Sequence, residues 1–374
     1  MKHFPKTFFT IILFCGFFGL AKNTSAAPSV SGVSGTVSDG QSVTISGSAF
    51  GTNSAVGTSN LEFLGGKNGP IESGTTGQEF SRTHWDIDTE WGNDIQVTTS
   101  NAPWGTKVLQ MTGPYTSSGS GNPEAPLYYN LPSPINASDY VFVSWWERVT
   151  WTGKGQYKII RFSPTQTIVD SPGNQDVYFF HNNAEWVEYC RDGGPCALYP
   201  DFGPGDTTGV WQRHDIEMKT SSPNSVTLTQ YQPGTALQSV NATSYTSSAS
   251  SVWNWIVWQN YFGTDATGQM TQGDVWLKDI YISHGTPARV ELCDSSTWSA
   301  RQKCIIQPPS SWNAGSIGVT LNQGNFANSS TAYLYVVDSS GATNANGYSL
   351  TLGSGGGGGG DTTPPAAPSG LSVV

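Results

Sequence analysis

Residues 140–150 read YVFVSWWERVT, and residues 274–283 read DVWLKDIYIS. Apolar and polar residues alternate in both, without a 3.6-residue period, and each stretch has the length of a strand. Similar runs recur at Gln156–Phe162 (QYKIIRF), Asp176–His181 (DVYFFH), Trp211–Thr220 (WQRHDIEMKT), Ser225–Tyr231 and Trp253–Phe262 (WNWIVWQNYF). Gly-, Pro- and Ser-rich loops separate them. So many antiparallel strands within residues 53–286 predict an all-β chain built on a two-sheet sandwich or jelly roll.

Composition points the same way. The 374 residues include 44 Gly, 22 Pro, 14 Trp, 15 Tyr and 16 Phe, and only 12% are charged. A coiled coil or helical bundle needs far more Ala, Glu, Lys, Leu and Arg. A chain this aromatic can bury enough apolar surface to fold, which argues against disorder over most of its length. The formal charge of −10 disfavours a nucleic-acid partner, which wants a basic stripe.

Residues 1–27 have a basic start (MKHFPK), a short apolar run (TFFTIILFCGFFGLA) and small residues before Pro28. That is the pattern of a secretory signal with cleavage after Ala27, and the apolar run is short for a membrane span. Phe14 stands before Cys15 where a lipoprotein anchor would want a small residue. Removing Lys2, Lys6 and Lys22 leaves 14 basic against 27 acidic residues. The expected product is exported in the bacterial manner, either secreted or held at the cell surface, with no membrane span. Four cysteines remain, and their spacing favours Cys190–Cys196 and Cys293–Cys304 disulfides over a zinc site, which would want tighter pairs and nearby His.

Residues 28–52 alternate apolar and small polar residues about an Asp39–Gly40 turn, a hairpin signature. With its Ser46-Gly47-Ser48-Ala49-Phe50-Gly51 close, this stretch resembles the opening of the immunoglobulin-like IPT/TIG module. Within residues 287–353, Ser311-Trp312 followed by Gly315–Thr320 resembles the module's second half. Two organisations follow: a small sandwich split in sequence around a larger inserted domain, or two separate small β modules. Insertion at an exposed loop tip is physically cheap. The strand phrases of residues 53–286 resemble a concanavalin A-like jelly roll of the lectin, glucanase and polysaccharide lyase kind. They are an early W-G-x-K-V-L, a central SWWER, a W-x-R-H-x-I-E and a closing D-V-W-L-x-D-I-Y-I-S. Residues 354–360 read as a glycine tether, and residues 361–374 resemble the first strand of a fibronectin type III module or form a disordered tail.

The jelly-roll resemblance implies a sugar chain on one curved sheet face, where aromatic rings stack on pyranose C–H surfaces and planar polar groups meet hydroxyls. Period-two alternation groups Trp145 with Glu147, Tyr157 with Arg161, Phe179 with His181, and Trp255 with Gln259 and Tyr261. If these sets share the groove, Trp145, Glu147, Tyr157, Trp255 and Gln259 would bind sugar. Arg161, His181 and Tyr261 would then have the types needed for β-elimination of a uronate polymer: a cation on the carboxylate, and a base and an acid for the protons. The same aromatics are also ordinary core residues of a sandwich. Asp86, Asp88 and Glu90 alternate on one strand, as the paired carboxylates of a glycoside hydrolase or the oxygen ligands of a structural calcium would; a solvated acidic loop is the favoured reading of the same residues. No cofactor is required by this chemistry. The functions in play are a polysaccharide or cell-surface glycan binder, a polysaccharide lyase or glycoside hydrolase, and a surface adhesion or structural protein.

Overall fold

The computed structural model describes residues 26–87, 95–111, 126–136, 138–152, 157–164, 177–182, 186–191, 197–198, 208–220, 225–232, 238–243, 253–262 and 272–353. In chain order the strands begin with β1 (Ser29–Gly35), β2 (Ser42–Ser48), β3 (Leu61–Phe63), β4 (Trp85–Ile87), β5 (Ile95–Thr98), β6 (Val108–Met111), β7 (Leu127–Ile135) and β8 (Tyr140–Thr152). There follow β9 (Tyr157–Ser163), β10 (Val177–Asn182), β11 (Trp186–Arg191), β12 (Ala197–Leu198), β13 (Trp211–Lys219), β14 (Ser225–Tyr231), β15 (Gln238–Thr243), β16 (Trp253–Phe262) and β17 (Gln272–His284). The last are β18 (Arg289–Cys293), β19 (Cys304–Gln307), β20 (Pro309–Asn313), β21 (Ser316–Thr320), β22 (Thr331–Val337) and β23 (Tyr348–Thr351). Among the described residues the helices are one turn at Pro70–Ser73 and a 3₁₀ turn at Trp298–Ala300, and none is long and apolar enough to cross a membrane.

The chain is all-β. Its larger part is a jelly-roll sandwich of concanavalin A type, with a seven-stranded sheet (β12-β11-β10-β9-β16-β7-β4) facing an eight-stranded one (β15-β14-β13-β8-β17-β6-β5, with β3 on β17). The chain crosses between sheets at β6 to β7, β7 to β8 and β8 to β9, so strands distant in sequence become neighbours. The interior takes one face from each sheet: Val141, Val143 and Trp145 of β8, Ile216 and Met218 of β13, Ile256 and Trp258 of β16, and Leu127 and Tyr129 of β7. Pro132 and Pro134 would interrupt a regular ladder. They fall where the pairing of β7 with β16 jumps, from Trp255↔Asn130 to Trp253↔Ile135, so no ladder N–H is needed there.

The smaller part is an immunoglobulin-like sandwich assembled from both ends of the described chain. One sheet runs β1-β2-β21-β20, the other β19-β18-β22-β23. Strand β2 pairs antiparallel with β21, from Ser42↔Thr320 to Ser46↔Ser316. Val33, Val43 and Ile45 share a core with Val290, Leu292, Ile317 and Leu334. The Ser46–Gly51 phrase has a structural role here. A Cβ on Gly47 would lie 2.0 Å from the Ser29 carbonyl oxygen and 2.4 Å from the Phe50 ring, so only glycine lets that fully buried ring close the hairpin. The Phe50 carbonyl in turn accepts the Trp312 indole N–H at 3.1 Å. The sandwich is thus split in sequence, with the jelly roll between its halves.

This small sandwich sits on the outer face of the eight-stranded sheet, where Trp146 of β8 joins its core and Phe142 and Tyr281 contact Ile306. A bulge between Lys278 and Tyr281 places Asp279 at φ 49°, and its carboxylate accepts from Gly66 N at 3.1 Å and Asn322 Nδ2 at 2.7 Å. The seven-stranded sheet therefore presents the jelly roll's other outer face.

Candidate functional site

Position on that face is set by two bulges. On β9, Ile159 and Ile160 both enter the interior, and the register with β10 shifts between Phe179 and Phe180. The register of β16 with β9 shifts between Trp258 and Tyr261. Each shift inverts the alternation beyond it. Tyr157 and Phe162 consequently enter the interior, while Arg161 pairs across the sheet with Tyr178 and Val257, and Val257 pairs with Tyr128. The expectation that Tyr157 and Arg161 share a face is corrected: the extra residue on β9 separates them.

The outer face carries Arg161, with no solvent exposure, and the buried Tyr128. Trp255 is half-buried, pairs with Ser163 and Asn130, and meets Tyr128 edge to face at 6.2 Å. Asp86, exposed on β4, pairs by backbone with Tyr128 at the sheet's edge. Trp255 is the described residue of this group that offers ring surface to a ligand, with a guanidinium one strand away. Such a ring surface can stack a sugar ring.

Three of the predicted sugar-binding residues lie elsewhere. Trp145, Glu147 and Tyr157 meet between the sheets, where the indole Nε1 donates to Glu147 Oε2 at 2.7 Å and the Tyr157 hydroxyl donates to Oε1 at 2.6 Å. Trp145 also stacks on His214 at 5.3 Å and meets Trp258 edge-on at 6.1 Å. This is a satisfied buried carboxylate, and such a group fixes side-chain positions in a core. His181 pairs by backbone with Tyr157, and Tyr261 with Lys158, so register does not place either strand position beside Arg161. The side chains of His181, Gln259, Tyr261 and Cys190 lie outside the described residues, as do Asp88, Glu90 and Cys196. The Cys293–Cys304 disulfide is present and joins β18 to β19.

A second polar assembly, with no counterpart in the sequence reading, lies between the two sandwiches. Arg213 is fully buried and grips Asp215 with Nε and Nη2, each at 2.8 Å. Its Nη1 donates to Glu291 Oε2 at 3.0 Å and to the Cys304 carbonyl at 2.9 Å. Arg289 Nε meets Glu291 Oε1 at 2.7 Å. Burial alone would raise the Glu291 pKa, but Arg213, Arg289 and, more weakly, Arg301 hold it at about 2. Burial and the Glu291 charge push Asp215 upward against the pull of Arg213. The signal that could have revealed this cluster is the Arg-x-Asp and Arg-x-Glu spacing on β13 and β18, which sets each pair on one strand face.

Glu291, Cys293 and Cys304 are the group of potential metal ligands that lies closest together among the described residues. They do not fit an ion, because the sulfurs are joined to each other and the carboxylate is held by two guanidinium groups.

No family model matches this chain, and no curated protein matches it in sequence. Among solved structures it is similar to an endo-β-1,4-glucuronan lyase from the fungus Trichoderma reesei, at 15% identity and a TM-score of 0.41, over 56% of this chain and 95% of that one. It is similar to a PL-14 alginate lyase from Aplysia kurodai at 10% identity and a TM-score of 0.40, over 50% of this chain and 86% of that one. It is also similar to lectin II from Ulex europaeus at 10% identity and a TM-score of 0.39, over 60% and 98%. Likeness at this level does not assign chemistry to any residue.

Proposed function

We propose that this chain is an exported carbohydrate-recognising protein that holds a polysaccharide on the outer face of the seven-stranded sheet. The observation that carries the reading is the half-buried Trp255, braced edge to face by Tyr128 on the side of the jelly roll opposite the small sandwich. Stacking on a pyranose needs an aromatic face held rigidly in place, and the bracing ring supplies that rigidity. Export is supported by the signal-like residues 1–27 and by the Cys293–Cys304 bridge, which suits an oxidising compartment.

The test is binding of the purified chain to a panel of uronate and neutral polysaccharides, with Trp255→Ala as the control. Saturable binding that weakens about tenfold in the variant supports the reading. Equal retention of both proteins, or no binding to any polymer, overturns it. A second reading is β-elimination of a uronate polymer, whose base and acid would come from positions other than that of His181, which pairs with the inward-facing Tyr157. Growth of unsaturated-uronate absorbance during the same incubations would establish elimination, and bound polymer without products would exclude it.

A further inference from the structure

A pocket of about 190 Å³ opens between the outer face of the eight-stranded sheet and the small sandwich. Thr227, Thr229, Ser239, Glu217 and Tyr231 line it from the jelly roll, and Arg301 lines it from the other side. It is too small for a drug-sized ligand and suits a single sugar-sized unit.

Its charges are unevenly matched. Arg213 is committed to Asp215 and Glu291, and Arg289 to Glu291 and, at 3.9 Å, to Glu217. Arg301 is different. It is 9% exposed, stacks 3.5 Å over the Trp298 ring, and donates from Nη1 to the Trp298 carbonyl. Its Nε is buried without a hydrogen-bond partner, and among the described residues no carboxylate lies within ion-pair distance of it. Leaving the Nε donor of a guanidinium without a partner at nine-tenths burial is costly. A carboxylate is the group that satisfies such a fork most completely. Elsewhere in the pocket stand hydroxyls, with Thr229 and Ser239 3.2 Å apart, the Asp215 carboxylate, held by Arg213, and the Glu217 carboxylate, 38% exposed and 3.9 Å from Arg289. These are partners for ring hydroxyls.

We propose that the pocket is a second ligand site that takes one carboxylated sugar unit. Its carboxylate sits on Arg301, and its hydroxyls meet Thr227, Thr229, Ser239 and Glu217. The site is on the opposite side of the jelly roll from Trp255 and does not depend on that face binding anything.

Calorimetric titration of the whole chain tests it, with free glucuronate and galacturonate, their neutral parent sugars, and acetate. At least one uronate is expected to bind ten times more tightly than its neutral parent and than acetate. Arg301→Gln should weaken that binding at least tenfold, while Trp255→Ala leaves it unchanged. If far-ultraviolet circular dichroism shows that Arg301→Gln does not fold, Thr229→Val takes its place, with a loss of threefold or more expected. The proposal is overturned if no uronate binds, if the neutral sugar or acetate binds as tightly, if the folded variant keeps wild-type affinity, or if Trp255→Ala abolishes uronate binding.

Discussion

Arg213 Nη1 lies 3.0 Å from Glu291 Oε2, both side chains have no solvent exposure, and the two residues belong to different sandwiches. Arg213 is on β13 of the jelly roll, and Glu291 is on β18 of the small sandwich. A buried ion pair of this kind gains little over a well-packed apolar contact, but breaking one partner leaves a charge stranded. The two sandwiches are therefore held in one relative position by a contact that tolerates little change.

Arg213→Met should destabilise the protein by about 3–5 kcal/mol, because Asp215 and part of Glu291 lose their counter-ion inside the structure. Guanidinium denaturation followed by tryptophan fluorescence would measure this. A loss under about 1 kcal/mol would mean that the interface readily admits water.

Acid should act through Glu291. Its folded pKa, about 2, lies below the ordinary 4.5, so its contribution is full above about pH 4.5 and is lost as pH falls toward 2. The stability difference between wild type and Glu291→Gln should therefore shrink as pH drops through that window. Asp215, shifted upward, has the opposite sign, which is why the variant comparison is needed rather than the wild-type curve alone. A difference that stays constant down to pH 2 would contradict the arrangement.

Tyr157→Phe should cost about 1–2 kcal/mol of stability by removing the hydroxyl that donates to Glu147, and should leave glycan affinity unchanged. Loss of affinity at wild-type stability would move Tyr157 from the interior to the binding surface. Parallel denaturation and binding measurements separate the two.

Replacing Cys293 and Cys304 by Ser should destabilise by about 2–3 kcal/mol, the scale for a short closed loop. Their separation in sequence is 11 residues. Because the Cys304 carbonyl accepts from Arg213, the double variant and Arg213→Met should not be additive. A double-mutant cycle with zero coupling would show that the two contacts act independently.

Much of the architecture was legible in the residues. The strands at Ser225–Tyr231 and Trp253–Phe262 have the bounds expected of them, and β13 ends one residue early, at Lys219. Strand β7 was not legible, because Pro132 and Pro134 interrupt a strand pattern and only the register jump in the folded sheet accommodates them. The site was less legible. Tyr128 belongs to that missed strand, and Arg301 lies in a loop whose partner surface comes from β13, β14 and β15.

What the sequence determined by itself was most of the jelly roll's strands and a likeness between its two ends, which left a split sandwich and two separate modules both open. Alternation is a local property, and the Ser46–Gly51 and Ser311–Thr320 phrases carry the glycine and tryptophan that close one small sandwich. What only the tertiary structure decided was which face each residue takes. One extra residue on β9 sends Tyr157 inward and Arg161 outward, since a period of two has no memory across a bulge. The same holds for Arg213 and Glu291, which are 78 residues apart and meet only because the two halves of a split sandwich close on the sheet between them.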